Sequence, residues 1–167
     1  MKPIIGSPTV PYRMYSIRGY TGNAEVIDGA YKEVIEDLEH ANILGLERYN
    51  LRTQSQQIKK ILSSGFILKW ILTWDLNIYC VRAHSIHFQW RTGKTNVPHT
   101  IASRGESVVC AGLVKRESEK ILLDNTTGHY RCEPDNLSIA ITIWRNIFSE
   151  DKDICNIDIR PQFWTPK

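Results

Sequence analysis

Two segments in the second half of the chain concentrate residues that could do chemistry. One is His99-Thr-Ile-Ala-Ser-Arg-Gly105; the other is Asp124-Asn-Thr-Thr-Gly-His-Tyr-Arg131. Imidazoles titrate near neutral pH, so His99 and His129 suit a general base and a general acid working as a pair. Tyr130 brings a phenol that can donate to an oxyanion or stack on a base. Arg131, Arg104 and Lys94 supply cations for phosphate, the arginines bidentately. One base, one acid and one cation are what RNA cleavage by the substrate's own 2′-hydroxyl needs, with no metal and no organic cofactor. This points to a small metal-independent enzyme of toxin or effector type, a ribonuclease-like hydrolase acting on RNA or another phosphate-containing substrate. A noncatalytic module that binds a ligand or a protein partner, such as an inhibitor, is the competing reading. The plainest alternative is structural: His129 and Tyr130 close a loop and His99 caps a strand. Neighbouring strand residues point to opposite faces, so His129 and Tyr130 share a pocket only if they lie in a loop. Of the two, His129 is the one expected in the pocket.

Other constellations are weaker. His84 and His87 are three apart, which on a strand puts them on opposite faces and makes a poor metal site. His40 belongs to a charged helix surface. A papain-like pairing of Cys80 or Cys110 with His129 lacks the helix N-terminus that lowers a catalytic thiol's pKa. Arg13 in Tyr12-Arg-Met-Tyr15 is similar to the first-strand arginine of ADP-ribosyltransferases, a further alternative as a toxin. The Ser-Thr-Ser strand and late Glu-x-Glu of those enzymes are missing, and the nearest acids are Glu117 and Glu119. Trp164, in the Pro-flanked tail, is a candidate anchor for a partner.

From Lys69 onward the chain resembles a domain of the plant IQ-motif calmodulin-binding proteins and of related bacterial and fungal sequences. The matching residues are Lys69-Trp-Ile71, Asn77-Ile-Tyr79, His99 to Gly105, Ala111-Gly112 and Gly128-His-Tyr-Arg131. The resemblance implies a shared fold and a shared pocket over about 90 residues. His99 is followed by Thr-Ile where the family has Ser-Ser, and Cys132 replaces a proline. Residues 1–65 hold no IQ motif, so calmodulin binding is not carried over.

The elements that must position these groups are those of one α+β domain spanning residues 1–167. Its 1–65 part is mainly helical; its 66–167 part is sheet-rich and carries the site. A hydrophobic share of 42% in 167 residues is enough for a core. Apolar residues at helical spacing, among them Val34, Ile35 and Leu38, predict a helix over 24–44, ended by Gly45, with Ile35 buried. A second helix is expected from Thr53 to Ser63. The period then changes to that of strands at Phe66–Thr73, Ile78–Val81, Ile86–Trp90, Ser107–Val114, Lys120–Leu123 and Ile154–Ile159, with a candidate earlier strand at Tyr12–Ile17. His99 is expected to open a strand at an exposed end marked by Pro98. A helix over 134–148 starts at Pro134. The expected fold is N-terminal helices on a mainly antiparallel sheet, with one more helix before the last strand. No parallel βαβ alternation and no phosphate-binding glycine motif is seen.

The net charge of +3 is too small to argue for a dedicated nucleic-acid-binding surface. Four cysteines without a Cys-x-x-Cys pair predict neither zinc nor a disulfide framework, and suggest a reducing compartment. No apolar run is long enough to span a membrane, and Met1-Lys-Pro-Ile-Ile-Gly6 does not read as a signal peptide. A cytoplasmic location, in the producing or the target cell, is therefore expected.

Overall fold

The structure is a computed structural model that describes residues 35–84, 96–127, 130, 132, 134–154 and 156–160. A six-stranded sheet organises it. The strands are β1 (Tyr49–Asn50), β2 (Leu68–Leu72), β3 (Ile78–Arg82), β4 (Cys110–Glu117), β5 (Lys120–Asp124) and β6 (Asn156–Arg160), in the order β1-β3-β2-β4-β5-β6. Neighbours are antiparallel except β5 and β6, which are parallel. The helices are α1 (residues 35–43 of the described chain), α2 (Ser55–Ser63), α3 (His99–Ser103) and α4 (Leu137–Ile147). The class is α+β, as the periodicity implied.

The two hairpins are local products of the sequence. Between β2 and β3, Thr73 Oγ1 bonds the carbonyl and amide of Asn77 at 3.0 and 3.2 Å, and Leu76 takes a left-handed φ of 63°. Between β4 and β5 the turn is only Ser118-Glu119, with Ser118 at φ 56°. That turn is tighter than the five-residue connection expected over Lys115–Glu119.

Register separates the two faces of the sheet. Leu68, Trp70 and Leu72 share a face with Cys80, Cys110, Val114, Ile121 and Ile157. Arg116 belongs to that face too, and it donates to Ser63 of α2 at 2.6 Å. Helices α2 and α4 cover this side, with Ile58, Leu62, Leu137, Ala140 and Trp144 buried at helical spacing. Lys69, Ile71, Tyr79, Val81, Ala111 and Leu113 share the opposite face. Arg48 lies 3.8 Å over the Tyr79 ring and donates to the Ala102 carbonyl of α3 at 2.9 Å, which places α3 on that side.

Three expectations are corrected. Ile35 is 55% exposed, not buried. The helix packs through Leu38, Ala41 and the following Leu44, and at 3.6 residues per turn Ile35 is rotated about 120° from Ala41. The segment at His99 is a helix, not a strand. Pro98 is extended (φ −67°, ψ 149°), the next five residues make one short helix, and Arg104 (φ 54°) and Gly105 (φ 77°) end it in left-handed conformations. A βαβ unit does occur: α4 carries the chain across the sheet, so β6 joins β5 in parallel. The helix expected over 134–148 is present, with a 3₁₀ first turn at Pro134–Asn136 leading into the α-helix Leu137–Ile147. Most of the predicted 24–44 helix and the strands at Tyr12–Ile17 and Ile86–Trp90 lie outside the described residues. No described helix is long and apolar enough to cross a membrane.

Candidate functional site

His99 is the first residue of α3 and is 3% exposed. Its Nε2 lies 2.8 Å from the Gly112 carbonyl oxygen in β4. A carbonyl only accepts, so Nε2 is the protonated nitrogen in this contact. Gly112 is a junction for a second reason. A Cβ there would stand 1.7 Å from the Asp124 carbonyl oxygen and 2.9 Å from the Asn125 Cα. The chain leaving β5 therefore crosses directly over Gly112, and only glycine permits that approach. Asp124 fixes the crossing: its carboxylate accepts from the amides of Leu113 at 2.9 Å and Thr126 at 2.8 Å. Asn125, fully buried, donates to the Cys132 carbonyl at 2.7 Å and closes the loop.

Tyr130 is buried, and its phenol contacts the Ser103 hydroxyl and donates to the Glu106 carbonyl at 2.8 Å. Ser103 is one helical turn after His99, so Tyr130 is tied to the helix that His99 opens. Arg104 is exposed at the far end of α3. There it is close enough to Arg48 to hold that guanidinium below its ordinary pKa, an effect second to burial. The structure thus ties His99 and Tyr130 to one short helix and sets Arg104 at its exit. His129, Arg131 and Lys94 lie outside the described residues, as do Arg13, His87 and Trp164.

Two of the described thiols are poor nucleophiles. Cys80, Cys110 and Cys132 are buried and unbridged. Burial pushes the Cys80 thiol up. A hydrogen bond with Cys110, followed by burial, does the same to Cys132. The Cys80 and Cys132 thiols are thereby held protonated, and Cys110 lies in β4 rather than at a helix N-terminus, where a catalytic thiol would be activated.

Sequence reasoning passed over Lys69. It lies at the middle of the sheet on β2, with Val81 and Leu113 as cross-strand partners, and is 7% exposed. Burial alone pulls its amine down to about 8. The signal was present: Lys69 is the one charge inside the apolar run Phe66–Leu72, in a strand buried at every position. A single cation in a strand buried on both faces is a polar group that needs a reason.

Leu113 and Leu122, on the same face of the sheet as Lys69, border a cleft of about 180 Å³ whose lining does not include Lys69. Ile67, Leu113 and Leu122 are among the apolar residues that line it, and Lys115, Asp124 and Arg160 are the charged ones.

The chain matches no family model, and neither the curated proteins nor the solved structures contain a significant match to it.

Proposed function

We propose that this protein is a small metal-independent enzyme of toxin or effector type that cleaves RNA or another phosphodiester, with His99 and His129 dividing the acid–base work. One observation carries the reading. The carbonyl of Gly112 receives His99, and the chain that leads to His129 crosses the same glycine. In this mechanism the Gly112 bond orients the His99 ring for proton exchange, while His129 serves the opposite end of the scissile phosphodiester. Tyr130 acts as a positioning residue, because its hydroxyl is committed to Ser103 and Glu106.

A second reading, a noncatalytic ligand-binding module, draws on a specific observation. Both described members of the trio spend hydrogen-bonding groups on the scaffold, and His99 is almost wholly covered. Purified wild type, His129→Ala and His99→Gln separate the two. In His99→Gln the side-chain amide retains an N–H for the Gly112 carbonyl and the imidazole's acid–base chemistry is lost. For the enzyme, both variants lose about 10²–10⁴-fold in cleavage of a single-stranded RNA while their melting midpoints stay near wild type. Activity falling only in step with melting, or no cleavage by the wild type, leaves the binding module.

A further inference from the structure

We propose that Arg48 and Arg104, which flank the exit of α3, form a two-guanidinium subsite that holds a backbone phosphate of single-stranded RNA, next to the phosphodiester served by His99 and His129. The choice of RNA as the bearer of that phosphate rests on the proposed function; the pairing of the arginines does not.

Arg48 is held from two sides. Its Cζ stands 3.8 Å over the Tyr79 ring, and Nη1 donates to the Ala102 carbonyl at 2.9 Å. A guanidinium carries five N–H donors in one rigid fork. Among the described residues this one commits only Nη1 to the protein, which is all that the end of α3 takes from it. The rest of the fork is held in place by the ring and is half-buried, with donors left for a ligand.

Arg104 reaches the same place along the chain. It follows Ala102 by two residues and is exposed. Its repulsion of Arg48 outweighs the attraction from Glu106, the acid nearby, so positive charge is in excess there. Ion pairs among the described residues engage Lys59, Lys115, Lys120 and Arg160. Neither Arg48 nor Arg104 takes part in one. Two neighbouring guanidiniums with no carboxylate paired to either serve stability poorly. They suit a phosphate, whose several oxygens accept from both forks.

Position ties the pair to the acid–base site. His99 opens α3 and Arg104 stands just past its last residue, about 7.5 Å further along the helix axis. That is comparable with one nucleotide step of an extended single strand, so a phosphate on the arginines puts its neighbour toward His99.

The test uses the full chain and a short single-stranded oligoribonucleotide carrying 2′-O-methyl groups throughout, which offers phosphates but no hydroxyl for cleavage. Wild type, Arg48→Gln, Arg48→Lys and Arg104→Gln are compared across a salt series. Each Gln variant should bind about 10-fold or more weakly than wild type, with the slope of log affinity against log salt reduced by about 0.7. Arg48→Lys should keep the slope without restoring the affinity, because an ammonium lacks the fork. An arginine that merely caps α3 would move the melting midpoint and leave the salt slope alone. Arg104→Gln, at an exposed position with unchanged backbone demands, decides if Arg48→Gln fails to fold. Cleavage of the unmodified oligonucleotide separates this proposal from the acid–base reading. Arginine-dependent binding with no cleavage by wild type removes that reading and keeps the subsite. Wild-type salt slopes in both Gln variants, full cleavage activity in both, or no binding by wild type at low salt overturns the subsite.

Discussion

The two faces of the sheet differ in what they bury. Under α2 and α4 the contacts are mostly hydrocarbon, with the buried and unpartnered Trp144 Nε1 an exception: Leu68, Trp70, Leu72, Val114 and Ile121 meet Ile58, Leu62, Leu137 and Trp144. Under α3 the buried set includes Lys69, His99, Thr100 and Ser103. Hydrocarbon packing is non-directional and supplies stability, whereas buried polar groups cost free energy unless each is partnered. One face therefore holds the fold together. The other carries groups whose presence stability does not explain, and such groups collect where ligands bind. The division also explains the helices. Two amphipathic helices of 9 and 11 residues serve the apolar side, and a 5-residue helix ended by left-handed residues serves the polar one.

The largest test of this contrast falls on the point where both faces meet. Gly112→Ala drives a methyl into the Asp124 carbonyl, and backbone cannot step aside as a side chain would. We expect a loss of more than about 3 kcal/mol in urea unfolding. A near-neutral result would show that the β5 exit can move away from β4, and the junction would lose its role.

The next effect is read from pH. Lys69 titrates at about 8 in the folded chain against an ordinary value of 10.5. Between those values the unfolded chain holds a proton that the folded one has released, so stability rises with pH across that window. The penalty is at its full size below pH 8. The rise amounts to roughly 3 kcal/mol and should be absent from Lys69→Met. Equal pH profiles for the two proteins would assign the amine an ordinary pKa.

The smallest effect concerns Thr100, whose hydroxyl is buried without a partner. Thr100→Val removes the orphan group at similar volume and should stabilise by about 1 kcal/mol. The same change at a satisfied hydroxyl such as Thr73 should destabilise, since Oγ1 there bonds the turn at Asn77.

The apolar face was legible in the chain because its signals are local. Short apolar runs mark β2, β3 and β5, and Leu137, Ala140, Ile141 and Trp144 recur at helical steps. The polar face was less so. His99 follows Pro98 and precedes Thr-Ile, residues equally at home in a strand, and what makes the segment a helix is the pair of left-handed residues Arg104 and Gly105 that stop it. That Gly112 receives both His99 and the exit of β5 is a long-range coincidence with no local trace. Tyr130 shows the same limit: its type suggested chemistry, while its bonds to Ser103 and Glu106 depend on the packed loop. The parallel placement of β6 is decided by the route of α4 across the sheet, which periodicity does not record.

The strand order has a consequence for how the chain assembles. Each hairpin, β2–β3 and β4–β5, closes over a few residues, so both can form on the microsecond scale of local events. Joining them along β2 and β4 waits for the intervening chain and α3 to be gathered in. Pairing β6 beside β5 likewise waits for the crossover through α4. Until that last strand docks, the outer edge of β5 offers unpaired amides and carbonyls next to Ile121 and Leu123. The nascent protein is then most open to mispairing with another copy of itself. The alternating Asn156, Asp158 and Arg160 of β6 turn that sticky border into a charged one once the strand is in place.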